Sequence, residues 1–274
     1  MPRSMLSRLP GDTTELAGRG FRRQWRYQDG ELVGYEVDHG GLRQRTELVR
    51  DAAGQVVAET REGRTRRYRY DPAGQLISAE TTDGSWSCTY DYDPLGRLMT
   101  ETGPAGPVSY AYDDAGHLIE RRRGGAVTSY TYDQAGRRVG ADSPAHTRMF
   151  TWDAQGRLAR IEDRSATAEP TATSLTIDAP GDLAGVDGTP LCWDPTSAVS
   201  QLRWWGDTAV IGDDRPWATV DPTGAASWLA ADWQGSVDAN GYDPWGAREE
   251  AARRSWAGGR ADRRWAHLVT QPLV

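Results

Sequence analysis

The residues of this chain with the clearest chemical potential are aspartates that recur with a glycine three positions later. Six such units begin at intervals of 20, 22, 20, 20 and 20 residues, and they are Asp51 to Gly54, Asp71 to Gly74, Asp93 to Gly96, Asp113 to Gly116, Asp133 to Gly136 and Asp153 to Gly156. Closely spaced carboxylates could bind Ca²⁺ or act as an acid and base pair. A calcium loop, however, needs several oxygen ligands within about a dozen residues, and a calcium β-roll needs a period of about nine. Neither spacing occurs, so we expect no metal and no cofactor.

Histidine and cysteine offer no second chemistry. The four histidines are His39, His117, His146 and His267, and none stands in a metal or catalytic-triad arrangement. His117 follows a turn glycine where other repeats have Arg, so we expect an exposed residue after a turn. Cys88 and Cys192 could pair, but their spacing fits no metal site and favours two free thiols. With no phosphate-binding loop or nucleophile elbow either, the sequence predicts a protein that is not an enzyme.

The recurring aspartates have a structural explanation in turn chemistry. Asp at the first position of a type I turn accepts hydrogen bonds from backbone N–H groups ahead of it, and Gly at the fourth position adopts the left-handed conformation. Such a pair closes a three-residue hairpin loop with a glycine bulge. Each unit is therefore predicted to be a hairpin tip, and a degenerate unit from Asp243 to Gly246 is assigned the same structural role.

Aromatic residues precede each turn at a spacing of two. The pairs are Tyr68 and Tyr70, Tyr90 and Tyr92, Tyr110 and Tyr112, Tyr130 and Tyr132, and Phe150 and Trp152. A spacing of two places both rings on one face of a strand. One hairpin cannot bury that face alone, so successive hairpins must stack. The sequence predicts an all-β fold, an array of hairpin repeats of about 20 residues that forms a curved or spiralling sheet. We interpret the tyrosines as sheet packing, with a ligand-binding aromatic platform as the alternative.

Composition and charge limit the partners. The net charge is −7, all 32 basic residues are Arg, and no clustered basic stripe is present beyond Arg121 to Arg123. An acidic chain of this kind is not expected to bind nucleic acid. No apolar run is long enough to span a membrane, and the N-terminus lacks a classical signal peptide.

The C-terminal half changes from tyrosine to tryptophan. Trp204, Trp205, Trp217 and Trp233 lie in a segment that we expect to cap the open end of the sheet. The alternative is a patch that stacks on cell-surface carbohydrate or contacts cargo. Glu249 and Glu250 stand four residues before Arg253 and Arg254, which favours a short helix in the tail.

These patterns divide the chain into five predicted segments. They are a loosely ordered lead-in at 1–20, the repeat array at 21–163, a linker or long loop at 164–190, a Trp-rich capping segment at 191–246 and a tail at 247–274 that includes the predicted helix.

The segment from Arg67 to Leu76, with its echo from Tyr90 to Leu98, resembles the YD repeat of the Rhs family. The repeat is also found in wall-associated proteins, in insecticidal toxin-complex shells and in teneurins. The resemblance covers about residues 45 to 165 and includes spacing, turn residues and flanking aromatics. The region from Trp193 to Gly246 is similar to the end of an Rhs core.

The resemblance implies part of a hollow β cocoon that holds a toxin domain until delivery. It implies a protein cargo or a neighbouring shell segment as partner, and a secreted or cell-surface location. Some Rhs cores cleave themselves near paired Asp-Pro-x-Gly motifs, and Asp221 and Asp243 begin such motifs. Ala247 stands where that site has Leu, and the 18-residue gap between the motifs simply follows the repeat period, so no autoprotease is expected.

The resemblance has limits that leave three functions open. About ten hairpins are fewer than a closed shell uses, and 28 residues after Gly246 are too few for a toxin domain. The favoured function is a non-enzymatic shell fragment that encloses or presents a toxin cargo. The alternatives are a carbohydrate-binding module and a truncated gene product without independent activity.

Overall fold

The computed structural model describes residues 5–9, 13–18, 21–39, 42–165, 167–194, 196, 200–212 and 216–228. Within these ranges every regular element is a β-strand, and none is a helix. The all-β fold predicted from the turn spacing is therefore confirmed. The predicted helical tail lies outside the described residues. The chain divides into two units, Met1–Thr173 and Ser174–Val274, which are described separately.

Sixteen strands make up the first unit. They are β1 (Met5–Leu9), β2 (Thr13–Gly18), β3 (Phe21–Gln28), β4 (Glu31–His39), β5 (Leu42–Arg50), β6 (Val56–Arg61), β7 (Arg64–Tyr70), β8 (Leu76–Thr81), β9 (Ser87–Tyr92), β10 (Leu98–Gly103), β11 (Gly106–Tyr112), β12 (Leu118–Arg123), β13 (Ala126–Tyr132), β14 (Arg138–Asp142), β15 (His146–Trp152) and β16 (Leu158–Ser165). Each strand pairs antiparallel with the next one in sequence. The unit is therefore a sheet of consecutive hairpins, as the repeat predicted.

The turns that join successive strands lie alternately at the two ends of the strands, and each end forms one edge of the sheet. The Asp-x-x-Gly turns join β5 to β6, β7 to β8, and so on to β15 and β16. We call the edge at which these turns lie the tip edge. Different loops join β6 to β7, β8 to β9, β10 to β11, β12 to β13 and β14 to β15, and we call these the loop edge. The unit that measures 22 residues has its longer loop at the loop edge, between Thr81 and Ser87.

A β-bulge follows every regular tip. In the hairpin of β9 and β10, Tyr92 lies opposite Leu98 and Asp91 lies opposite Thr100, so Met99 is the extra residue. The equivalent extra residues in the other hairpins are Val33, Val57, Ile77, Ile119, Val139 and Ala159. A bulge bends its strand and interrupts the backbone ladder. The same irregularity therefore recurs once per repeat, just after the turn.

The core of the first unit lies on one face of the sheet. Tyr68, Ala79 and Cys88 lie side by side on neighbouring strands, and their relative exposures are 7%, 0% and 8%. A large ring thus covers small neighbours in the same row. The residues at the intervening positions of these strands, such as Arg69 and Thr89, are exposed, so the other face of the sheet contacts solvent. The alternation predicted for the tyrosine strands is the alternation of this sheet.

The second unit has seven described strands. They are β17 (Thr171–Ile177), whose paired residues begin at Leu175, β18 (Leu183–Val186), β19 (Thr189–Asp194), β20 (Gln201–Trp205), β21 (Thr208–Gly212), β22 (Pro216–Val220) and β23 (Ala226–Trp228). They too pair antiparallel in sequence order. Leu191, Val210 and Ala218 are buried between their neighbours.

The structure has strands in two segments that were expected to be irregular. The lead-in was expected to be loosely ordered, but β1 and β2 lie within it and pair residue by residue, with Glu15 accepting a hydrogen bond from Gln24 of β3. The expected linker at 164–190 contains β17 and β18 and the first residues of β19. Its turn, from Asp178 to Gly181, has the same Asp-x-x-Gly chemistry, with Gly181 donating to the Asp178 carbonyl. This turn was not found at the sequence level because Asp178 follows Asp153 by 25 residues, which departs from the repeat period of 20.

Candidate functional site

The tip edge gathers most of the residues that the sequence singled out. In the turn from Asp93 to Gly96, the Asp93 Oδ1 atom accepts hydrogen bonds from the backbone N–H groups of Leu95 and Arg97, both at 2.9 Å. Gly96 donates its N–H to the Asp93 carbonyl at 2.9 Å and has a φ of +82°. The turns at Asp51, Asp71, Asp113, Asp133 and Asp153 repeat this closure, and their glycines Gly54, Gly74, Gly116, Gly136 and Gly156 all have positive φ.

Four of the six turn carboxylates have a lowered pKa, which favours their ionised form. The backbone N–H of Arg97 is the largest cause of a lowered pKa at Asp93, and the backbone N–H of Arg157 plays the same part at Asp153. The side chain of Arg137 is the largest cause of the lowered pKa at Asp133. A general acid needs the opposite shift, toward neutral pH. These aspartates are therefore suited to capping turns and unsuited to donating protons.

At five of the six regular turns, the residue after the turn glycine contacts the next hairpin. Arg97 Nε donates to Asp93 Oδ2 at 2.6 Å, and the Arg97 guanidinium lies 4.8 Å from the centre of the Tyr112 ring. His117 is arranged in the same way, with Nδ1 2.9 Å from Asp113 Oδ2 and its ring stacked on Tyr132 at 4.7 Å. The sequence predicted only an exposed residue here, because the partner ring comes from the next repeat.

The first two regular turns use glutamine for a different contact. Gln55 Nε2 donates to the carbonyl of Gly74 at 3.3 Å, and Gln75 Nε2 donates to the carbonyl of Gly96 at 3.0 Å. Each glutamine thus reaches the glycine of the following tip. The side chain after the glycine therefore contacts the next repeat in both arrangements.

A second set of contacts runs from each hairpin back to the previous one. The residue immediately before the turn aspartate donates a side-chain hydrogen bond to the carbonyl of the first or second residue of the preceding return strand. These bridge residues are Arg50 to Leu32 (3.4 Å), Tyr70 to Val56 (2.8 Å), Tyr92 to Leu76 (2.8 Å), Tyr112 to Leu98 (2.9 Å), Tyr132 to Leu118 (2.8 Å), Trp152 to Arg138 (2.9 Å) and, in the second unit, Trp193 to Leu183 (2.7 Å). A guanidinium, a phenol and an indole thus fill one role.

The bridge residues lie where neighbouring hairpins stop pairing through the backbone. Strands β6 and β7 pair from Arg61 and Arg64 only as far as Ala58 and Arg67, so Val56 and Tyr70 lie beyond the ladder. An open groove of about 470 Å³ lies at this point, lined in part by Asp51, Gln55, Tyr70 and Pro72. A buried carbonyl needs a donor, and the bridge side chain supplies one where the bulge has removed the backbone partner.

Burial raises the pKa of three of the bridging phenols, which favours their donor form. Burial, followed by the Asp71 carboxylate, raises the pKa of Tyr92 to about 12. Burial is also the largest cause of the raised pKa at Tyr70 and Tyr112. These hydroxyl groups therefore keep the proton that the bridge requires across the physiological range.

Trp204 and Trp205, two of the tryptophans predicted to contact a ligand, do not lie on the same face of their strand. Trp204 is 48% exposed and lies opposite Cys192, whereas Trp205 is half-buried and lies opposite Leu191. Adjacent residues of a strand point to opposite faces, so the two rings cannot stack on one ligand. Trp217 lies in β22, and its side chain is not described. Trp233 and the predicted turn from Asp243 to Gly246 lie outside the described residues.

The described residues offer little for metal or thiol chemistry. No group of three or more His, Cys, Asp or Glu side chains within them could hold a metal ion. Cys88 is buried and Cys192 is exposed. No helix in the same ranges is long and apolar enough to cross a membrane.

One functional position was missed by sequence reasoning. Arg50 stands immediately before Asp51 and makes the bridge that tyrosine or tryptophan makes in later repeats. Its position relative to the turn was visible, but an aromatic pattern excludes it. A search for hydrogen-bond donors, in place of aromatic rings, at the residue before each Asp would have found it.

The fold and the tip edge together define a class of protein. The first unit is an antiparallel array of β-hairpins with Asp-capped turns, each joined to its neighbours by side chains near the tips. This chain is a β-hairpin repeat protein.

The Teneurin YD-shell family model matches residues 35–169. That segment contains all six regular turns and the bridge residues from Arg50 to Trp152. Residues 35–169 are therefore a YD-repeat segment of the shell type, as the turn and tyrosine pattern indicated.

Known proteins resemble the chain over part of their own length. Double-stranded DNA deaminase toxin A of Burkholderia cenocepacia (strain H111) is 34% identical over 103 residues, which cover 34% of this chain and 7% of that protein. The solved structure of TcdB2-TccC3-TEV has a TM-score of 0.46 at 19% identity, covering 81% of this chain and 13% of that one. TcdB2-TccC3 has a TM-score of 0.38 at 18% identity, covering 81% and 13%. The chain thus spans a small fraction of each relative.

Proposed function

We propose that this chain is a non-enzymatic segment of the structural shell of an Rhs-type toxin system, and that it encloses or presents a toxin cargo. The observation that carries the proposal is the use of the repeat residues. The turn aspartates cap backbone N–H groups, and the tyrosines before them bridge hairpins. The residues that recur are therefore committed to building a sheet.

The chemistry of the tip edge supports the absence of catalysis. The pKa values of Asp93, Asp133 and Asp153 are lowered, so these carboxylates stay ionised in their turns. The pKa of the bridging phenol Tyr92 is raised, so this group keeps its proton. Catalytic pairs usually have pKa values shifted toward the working pH, which is the reverse of this arrangement.

The relatives support a shell partner and a cargo. One relative is named as a toxin, and this chain spans 7% of its length. The matched segment is YD-shell sequence. We therefore propose a neighbouring shell segment or a toxin domain as the binding partner, and a secreted or cell-surface location.

The first experiment is size exclusion coupled to light scattering on the 30.1 kDa chain. The chain is measured alone, with the product of the adjacent reading frame, and with an unrelated protein of similar size as control. A soluble complex that forms only with the neighbouring product supports an incomplete shell. If the chain stays monomeric and binds neither protein, the proposed partner is wrong, and the surface-binding module becomes the favoured function.

The exposed Trp204 supports a second candidate, a carbohydrate-binding surface. Its ring is 48% exposed on a sheet face, and indole rings stack on sugars through their apolar faces. Retention on chitin and cellulose resins is compared for the wild type, Trp204→Ala and Trp205→Ala. Retention lost in Trp204→Ala and kept in Trp205→Ala supports the binding module, and equal elution of all three proteins excludes it for these sugars.

A further inference from the structure

The residue before each turn aspartate is defined by a hydrogen bond and only secondarily by its ring. Arg50, Tyr70 and Trp152 share no shape, yet each donates to a carbonyl in the first two residues of the preceding return strand. Phenylalanine, which has no donor, occurs at Phe150, two positions earlier in the strand. Packing alone would accept Phe at both positions.

The location of these bonds gives them a role that backbone pairing does not have. Strands β12 and β13 pair from Arg123 and Ala126 as far as Glu120 and Ser129, and pairing stops there. Leu118 and Tyr132 lie beyond that point, and their 2.8 Å bond is the contact that continues the connection toward the tip. At the loop edge, by contrast, pairing continues to the turn. The tip ends of neighbouring hairpins therefore depend on side chains.

Contacts in the other direction complete the connection. The ring of His117 stacks on the ring of Tyr132. His117 lies in the same hairpin as Leu118, whose carbonyl accepts the hydrogen bond from Tyr132. Arg97 lies over Tyr112 in the same way, 4.8 Å from the ring centre. The previous repeat therefore holds Tyr112 and Tyr132 at two points. Arg97 or His117 contacts the face of the ring, and a backbone carbonyl accepts the hydrogen bond of the hydroxyl group.

We infer that the bridge residues are a coupling device, which makes neighbouring hairpins of the first unit open together and not one at a time. In a repeat array, cooperativity depends on the interface between neighbours. The tip half of that interface has no continuous backbone ladder, so the side-chain bridges supply hydrogen bonds there. With them, a hairpin cannot open at its tip without breaking a bond to the previous hairpin.

The test is hydrogen exchange followed by mass spectrometry on the full chain, comparing Tyr132→Phe with Tyr130→Phe. Both substitutions remove one hydroxyl from β13 and keep the ring, and Phe150 shows that the repeat accepts Phe at the position of Tyr130. We expect Tyr132→Phe to raise exchange about fivefold, the effect of one ordinary hydrogen bond. The increase should cover β13 and also β12 of the previous hairpin. Tyr130→Phe should stay within about twofold of the wild type.

A donor of different shape provides the rescue. Trp152 makes the bridge with an indole N–H at 2.9 Å, so Tyr132→Trp should restore exchange toward the wild-type rate in both hairpins. Tyr112→Phe repeats the test one junction earlier, with readout in β10 and β11. Near-ultraviolet circular dichroism establishes that each variant is folded before exchange is measured.

Two results would overturn the inference. Equal exchange in Tyr132→Phe and Tyr130→Phe would mean that the bridge contributes nothing beyond the ring. Faster exchange confined to β13 and β14, with β12 unchanged, would mean that the bond stabilises only its own hairpin. Spread to β12, together with rescue by Trp, supports coupling.

Discussion

The two edges of the hairpin array are built by different means. At the loop edge, backbone pairing runs into the turns, which differ in length and type. Arg61 pairs with Arg64 across Glu62 and Gly63, both at positive φ, whereas the loop between Thr81 and Ser87 is longer. At the tip edge, the six regular turns share one form, and side chains join hairpins whose backbones have stopped pairing.

The difference explains where the repeat is visible in the sequence. A backbone ladder places few demands on side-chain identity, so the loop edge tolerates varied sequences. A carboxylate cap, a left-handed glycine and a side-chain donor each need a particular chemistry. The Asp, Gly and Tyr of the repeat therefore mark the edge where side chains replace backbone bonds.

The largest effect is expected when chain length changes at the tip edge. Inserting two glycines between Ala115 and Gly116 breaks the turn closure and moves His117 away from Tyr132. The same insertion between Gly124 and Gly125 only lengthens a loop, at a cost of less than about 1 kcal/mol. We expect the tip insertion to lower the free energy of unfolding by at least twice as much as the loop insertion, measured by urea denaturation. Equal losses would break the comparison between the edges.

A single methyl group should also distinguish the two edges. Gly136 has a φ of +76°, and an added Cβ would lie 2.9 Å from His117 Nε2. Gly136→Ala should therefore lower the free energy of unfolding by about 2 kcal/mol. Gly125 has nothing within 4 Å of the same position and no positive φ, so Gly125→Ala should change it by less than about 0.5 kcal/mol. Thermal and urea unfolding of both variants measure the difference, and a Gly125 effect as large as that at Gly136 would contradict the strain argument.

The smallest effect is expected from acid. The pKa of Asp93 is lowered in the folded chain, chiefly by the backbone N–H of Arg97, so the folded state binds fewer protons than the unfolded state as pH falls. Its stabilisation is complete above the ordinary pKa of aspartate, about 3.9, and is lost as pH drops through the lowered value. Asp93→Asn keeps an oxygen acceptor but removes the titration, so its melting temperature should fall less steeply than the wild type's below about pH 4. Identical slopes would show that this carboxylate does not contribute to acid sensitivity.

The regular hairpins could be predicted from the sequence because their signals are local. The spacing of Asp71 and Gly74 defines a turn within four residues, and Tyr68 and Tyr70 define a face within one strand. The all-β array followed from these signals and is confirmed. The prediction that the sheet curves or spirals remains a prediction.

The contacts between repeats could not be predicted, because they depend on the strand register. The bond from Tyr112 to the Leu98 carbonyl requires the bulge at Met99, and nothing in the sequence fixes that bulge. The strands within 171–194 were missed for a related reason, since their turn at Asp178 departs from the period. The opposite orientations of Trp204 and Trp205 follow from strand alternation, once the strand itself is known.

The acceptor of each bridge is a backbone carbonyl, and every residue has one. A hairpin therefore needs no particular side chain on the return strand of its predecessor to be joined to it, as the acceptors Val56, Leu76 and Arg138 show. A gene for such an array can lengthen by tandem duplication of one repeat, because the copy already has the donor and its neighbour already has the acceptor. Unequal recombination between repeats would then yield proteins of different length with the junctions intact.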